Sequence, residues 1–126
     1  RVNGWVLEGF PQTEAQVNLL LAMRVKPSQV FLLEQTEDEC VRRLGNRKID
    51  PTTGIVYNLE INPPGDEATS NRLIDAKEDN ETTVKQRFKT WKQQVGMLEE
   101  SFKTQMQVVQ ADRPMDQLTE VLADAI

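Results

Sequence analysis

The 126-residue chain contains no histidine and one cysteine, Cys40. Without histidine it cannot assemble a Ser-His-Asp triad, a Cys-His pair or an imidazole metal site. One cysteine cannot close an internal disulfide, and on an apolar helix face Cys40 reads as core. The Glu8 and Glu60 carboxylates have no recognisable paired partner for acid–base work, and no metal site is expected. What remains is arginine. A guanidinium is always charged and offers a two-pronged fork that matches phosphate and carboxylate oxygens, so its chemistry is oxyanion binding. Arg43 and Arg87 fall in helical patterns, where taken alone they read as solvated surface charge. The loop G-x-x-x-x-G-K-[ST], whose backbone cradles nucleotide phosphates, occurs nowhere in these residues.

Positioning such side chains needs a scaffold, and apolar spacing lays one out. Trp5–Leu7 reads as a buried strand that ends in the loop Glu8-Gly9-Phe10-Pro11, where Gly9 permits unusual φ and Pro11 fixes it. Thr13 and Gln16 form a capping box ahead of Val17, Leu20, Leu21 and Met23. Val30–Leu33 reads as a second buried strand. Thr36 with Glu39 repeats the capping-box spacing before Cys40, Val41 and Leu44, and Gly45 is a stop. After the turn Asp50-Pro51-Thr52-Thr53-Gly54, the alternation of Tyr57, Leu59 and Ile61 predicts a half-buried strand, ended by Asn62-Pro63-Pro64-Gly65-Asp66. This polar, turn-rich region reads as a small excursion from the core.

Val84, Phe88, Trp91, Val95, Leu98 and Phe102 make one helical stripe, expected as core rather than a base-stacking platform. Met106–Val109 is a third short apolar run, and Leu118, Val121, Leu122 and Ile126 predict a last amphipathic helix. Strand–helix alternation implies right-handed crossovers and a parallel sheet covered on both faces. Three strands are narrow for that arrangement, so the architecture reads as incomplete.

Composition narrows the partners. Apolar residues are 38% and charged residues 28%, the balance of one modest globular domain. With 20 acidic against 15 basic residues and a formal charge of -5, neither nucleic acid nor a membrane is an expected partner. No run approaches the roughly 20 apolar residues of a membrane span, and no signal peptide is visible. The chain opens on Arg1 rather than Met, which reads as a cut point within a longer polypeptide.

At Glu8-Gly9-Phe10-Pro11-Gln12-Thr13 the sequence resembles the adenylate kinases, whose strand-to-helix loop reads D-G-F-P-R-T. The likeness continues through Arg43, Arg47, the Asp50–Gly54 turn, Tyr57 and Asn62-Pro63-Pro64. It resumes over Glu78–Arg87 and ends in the Asp112–Pro114 turn. The resemblance implies an α/β fold: a partial doubly wound parallel sheet, P-loop kinase-like and of adenylate kinase type, lacking the P-loop strand and carrying a small lid insertion. Residues 1–126 would form a single partial domain, with a core of 1–45 and 80–126 and a lid-like insertion at 46–79.

The resemblance also implies roles. Arg43 and Arg47 would grip the ATP side from the lid, and Arg87 would reach the transferring phosphoryl. Gly9 and Gln16 would meet the AMP adenine, and Tyr57 would be a further nucleotide contact. Asp79, with Glu78, would pair with lid arginines on closure. Two arginine positions depart from the family: Gln12 stands where it has the arginine of F-P-R-T, and Ala76 where it has a second lid-side arginine; Glu8, in place of its aspartate, keeps the charge. Losing one such contact commonly costs about several hundredfold in rate.

The expected function is therefore a catalytically impaired adenylate-kinase-like domain with vestigial arginines. It would serve as a scaffold or protein-interaction module of a larger intracellular protein, cytoplasmic or, by analogy, in a ciliary or flagellar axoneme. The alternatives are the carboxy-terminal part of an active adenylate kinase, transferring phosphoryl between ATP and AMP, and a nucleotide sensor without turnover. The chain alone would carry no cofactor; the complete, active domain would use ATP and AMP with Mg. Expected partners are the upstream part of the same polypeptide or another protein, and a second copy through an open sheet edge.

Overall fold

A computed structural model of the protein describes residues 4–126. Arg1, the expected cut point, lies outside the described residues. The chain forms two compact units, one comprising residues up to Glu34 together with Trp91–Ile126, the other Gln35–Thr90.

The first unit is a parallel sheet between helices. Strand β1 (Val30–Glu34) pairs in parallel with β5 (Met106–Gln110), Val30 opposite Met106 through to Glu34 opposite Gln110. Side chains alternate between faces along each strand. One face therefore carries Val30 and Met106, which pack with Val17 and Leu20 of helix α1 (Glu14–Ala22) and with Phe102, Met97 and Leu98. The other carries Phe31 and Val109, which pack with Leu118, Val121 and Leu122 of helix α5 (Met115–Ala125). Helices thus cover both faces of a parallel pair, the mixed α/β arrangement of a partial adenylate-kinase-like P-loop kinase fold. Helix α1 starts where the capping box puts it: Thr13 accepts from the Gln16 amide, and the Gln16 side chain reaches back.

The expected strand at Trp5–Leu7 does not form. The segment is extended but belongs to no ladder, with Trp5 40%, Val6 93% and Leu7 46% exposed. The reason is non-local: a strand needs a neighbour to take its N–H and C=O groups, and among the described residues this sheet has only β1 and β5. Apolar composition alone cannot supply one.

The second unit holds helix α2 (Glu37–Gly45), strands β2 (Arg47–Ile49) and β3 (Val56–Asn58), helix α3 (Glu67–Arg72) and strand β4 (Ile74–Asp75). A single 3₁₀ turn (Lys77–Asp79) and the first part of helix α4 (Glu81–Ser101) complete it. The sheet is antiparallel, ordered β3-β2-β4. The lid-like insertion expected at 46–79 falls within this unit. Its buried residues are Asp50, Thr69, Asp79 and one apolar side chain, Val84. Polar contacts, not an apolar core, hold it.

Two local expectations are corrected here. The strand expected over Tyr57–Ile61 stops at Asn58, and Leu59 and Ile61 are exposed. Asn58 Oδ1 accepts from the amides of Glu60 (3.0 Å) and Ile61 (3.2 Å), folding the backbone into a side-chain-capped turn that competes with the ladder. At α2, Thr36 Oγ1 accepts from the Glu39 amide, but the Glu39 carboxylate turns to Arg42 and Arg43 instead of closing a capping box.

Candidate functional site

Of the residues singled out by resemblance, Gly9 and Gln16 lie in the first unit, and Arg43, Arg47, Tyr57 and Arg87 in the second. Gly9 has φ +68, a left-handed conformation that favours glycine, so the loop before α1 requires it on backbone grounds. Gln16 Oε1 accepts from the amides of Gln12 (2.6 Å) and Thr13 (3.3 Å), which commits that oxygen to the start of the helix.

Each arginine in the second unit's turns and helix ends has a defined setting. In α2, Glu39 of the first turn accepts at Oε1 from Arg43 Nε (2.6 Å) and Arg42 Nη2 (2.5 Å) of the last turn, and at Oε2 from Arg42 Nε (2.7 Å). These bonds, chiefly those from Arg42 and then Arg43, hold the Glu39 carboxyl at a pKa of about 2. Arg42 continues to the Glu60 carboxylate, tying α2 to the turn after β3. Arg47, the first residue of β2, gives Nε and Nη2 to the two oxygens of Asp79 at 2.6 Å each. The Asp79 side chain is 2% exposed against 40% for Arg47, and this hydrogen bonding strengthens the arginine's hold on its proton. The Asp79–lid arginine pairing implied by the resemblance is thus present as Arg47–Asp79.

Tyr57 stands opposite Lys48 across the β2–β3 ladder, and Lys48 opposite Asp75 across β2–β4. The register puts all three on one sheet face, where Lys48 and Asp75 form an ion pair. Arg87 lies on the exposed side of α4 and has no ion pair among the described residues. Gln12 is exposed before α1, and Ala76 is the half-buried residue that precedes the 3₁₀ turn. Neither carries a fork for an oxyanion.

Sequence reasoning missed the most deeply buried side chain. Asp50 follows β2 and is wholly buried. Its carboxylate accepts from Arg72 Nε (2.8 Å) and Nη2 (2.7 Å), the Thr52 amide (2.9 Å) and Thr53 Oγ1 (2.8 Å). Arg72, above all, holds this carboxyl well below the usual carboxylate range. The Asp-Pro-Thr-Thr-Gly motif marks the turn, but no local spacing points to an arginine 22 residues away.

Among the described residues no group of three or more Cys, His, Asp or Glu side chains could hold a metal ion. No helix among them is long and apolar enough to cross a membrane.

A parallel pair flanked by helices, with an arginine-bearing antiparallel excursion inserted between its two strands, defines the class: a partial P-loop kinase-like fold. Comparison with known proteins sharpens this. The chain is similar to the chloroplastic adenylate kinase of Zea mays, 32% identical over 114 residues, which are 90% of this chain and 51% of that protein. It is similar also to the adenylate kinase of Coxiella burnetii, 33% identical over 103 residues, 79% of this chain and 45% of that protein. The chain spans about half the length of the curated relatives it matches. No protein-family model matches it.

Proposed function

We propose that the chain is the lid-bearing, carboxy-terminal part of an adenylate-kinase-type domain whose phosphoryl-transfer arginines are depleted. On this reading it serves as a scaffold or interaction module with residual nucleotide binding, partnered by the upstream part of its own polypeptide or by another protein. One observation carries it: Gln12 and Ala76 stand at two arginine positions of the resemblance, while Arg43 and Arg47 are engaged by Glu39 and Asp79. Phosphoryl transfer depends on arginines free to neutralise charge on the moving group. Here the carboxylates compete for them.

A nucleotide phosphate would be held by Arg87 and by the part of the Arg47 fork outside its bond to Asp79. ATP would bring the phosphoanhydride to be cleaved, and Mg would neutralise its oxygens. Among the described residues no cluster of acidic side chains is fit to hold the metal itself.

The test is a chimera carrying the amino-terminal half of the maize relative, assayed for ADP formation from ATP and AMP. The expected rate is near background, and Gln12→Arg with Ala76→Arg should each raise it by roughly a hundredfold. Turnover of tens per second without those changes would overturn the impaired reading in favour of an active kinase half. Calorimetric titration of the chain itself with ATP should give weak, Arg87-dependent binding.

A further inference from the structure

Strand β2 is three residues long, and its ladder to β4 comprises two residue pairs, Lys48–Asp75 and Ile49–Ile74. So short a seam is not stable on its own hydrogen bonds, and Ile74 is 51% exposed, so apolar burial does little to close it. Two bidentate ion pairs close it at its ends instead. Arg47, at the start of β2, gives Nε and Nη2 to Asp79; Asp50, just past its end, accepts Nε and Nη2 of Arg72. The Lys48–Asp75 pair lies between them.

The pattern is reciprocal. The β2 segment supplies arginine and then aspartate, and the segment from Arg72 to Asp79 does the same in the opposite direction, as antiparallel pairing requires. The carboxylates of Asp50 and Asp79 are 1% and 2% exposed. Removing the fork from either leaves a buried charge without compensation, so neither pair opens cheaply by itself. Asp79 is joined to β4 through a single 3₁₀ turn closed by its amide on the Ala76 carbonyl (3.0 Å). Whatever fixes β4 therefore fixes Asp79.

We propose that Asp50 and Arg72 are positioning residues for Arg47. By clamping the far end of the β2–β4 seam they hold Asp79 in place, and Asp79 aims the Arg47 guanidinium with Nε and Nη2 occupied and Nη1 outside the pair. The seam then opens and closes as one piece. The geometry stands by itself; its consequence for ligands rests on the reading of Arg47 as a phosphate-facing arginine.

The experiment follows the Nε–Hε signals of Arg47 and Arg72 in the ¹⁵N-labelled full chain. In the wild type, these protons and the amides of the β2–β4 ladder should exchange with water with one shared opening equilibrium as denaturant is added. Separate equilibria for the two arginines would overturn the proposal. In Arg72→Met, exchange at Arg47 Nε–Hε should rise roughly tenfold or more while the β1–β5 amides keep their protection. Arg72→Lys, which keeps the charge without the fork, should fall between. Unchanged protection at Arg47 in Arg72→Met, with loss confined to the turn at 50–54, would overturn it too. A titration with ATP separates the two readings: an Arg47 signal that moves in the wild type and not in Arg72→Met ties the clasp to phosphate binding. An Arg47 signal indifferent to ATP in the wild type defeats the nucleotide reading and leaves the clasp to the exchange data.

Discussion

Glu39 sits three residues after its N-cap, where a glutamate ordinarily reaches back to the cap amide, yet it serves Arg42 and Arg43. The choice follows from magnitude: a charge-assisted bond is roughly twice as strong as a neutral one, and here the arginines lie one turn further along the same helix. Gln16 has the same spacing from Thr13 but no charge for an arginine to claim, and its box closes. One pattern thus gives two outcomes, and only the competition, which spacing does not record, separates them. The intact box sets the residue-scale prediction. Thr13→Ala should cost about 1 kcal/mol, read as a loss of roughly 4 °C in Tm. Phe102→Ala, at a site 4% exposed in the cluster with Val17 and Leu20, should cost about 3–5 kcal/mol. A larger effect at Thr13 than at Phe102 would contradict this account of what holds the first unit.

Long elements were legible because periodicity needs length: α4 covers the apolar stripe from Val84 to Leu98, and β1 and β5 contain the expected runs. Strands of two and three residues and the six-residue α3 have no period to read; Arg–Asp pairs over long sequence separation anchor β2 and α3. That difference predicts how the units respond to acid. The carboxylates held below their ordinary values are Glu39 by Arg42 and Arg43, Asp50 chiefly by Arg72, Asp66 by Thr69 and Glu81 by Lys85, and all lie in 35–90. A folded-state value below the unfolded one gives stability that is complete above the unfolded value and lost as pH falls through the folded one. For Glu39 that interval runs from 4.5 down to about 2. Amide exchange across it should accelerate first in β2, β3 and β4, with the β1–β5 ladder protected to lower pH. Simultaneous loss in both units would show that the ion pairs do not set the second unit's stability.

For the whole molecule, the layered α/β class follows from alternation of elements, which is local, whereas the number of strands in the sheet depends on which neighbours are present. This is why Trp5–Leu7 satisfied every local criterion for a strand and still lies outside the ladder. Among the described residues the consequence is a two-stranded parallel sheet, a form that seldom stands alone. Residues Val30–Leu33 of β1 carry no lysine or proline to guard the edge, and Leu33 is 43% exposed. A formal charge of -5 opposes association only weakly at physiological ionic strength, where charges are screened beyond about 8 Å. We propose on these grounds that the chain, studied alone, self-associates through the edge of β1. Sedimentation velocity should show a dimer growing with concentration up to roughly 100 μM, and Leu33→Lys should return it to monomer without loss of the amide protection in β5. A chain that stays monomeric over that range, or a Leu33→Lys variant that dimerises as well as the wild type, removes the edge as the site of association.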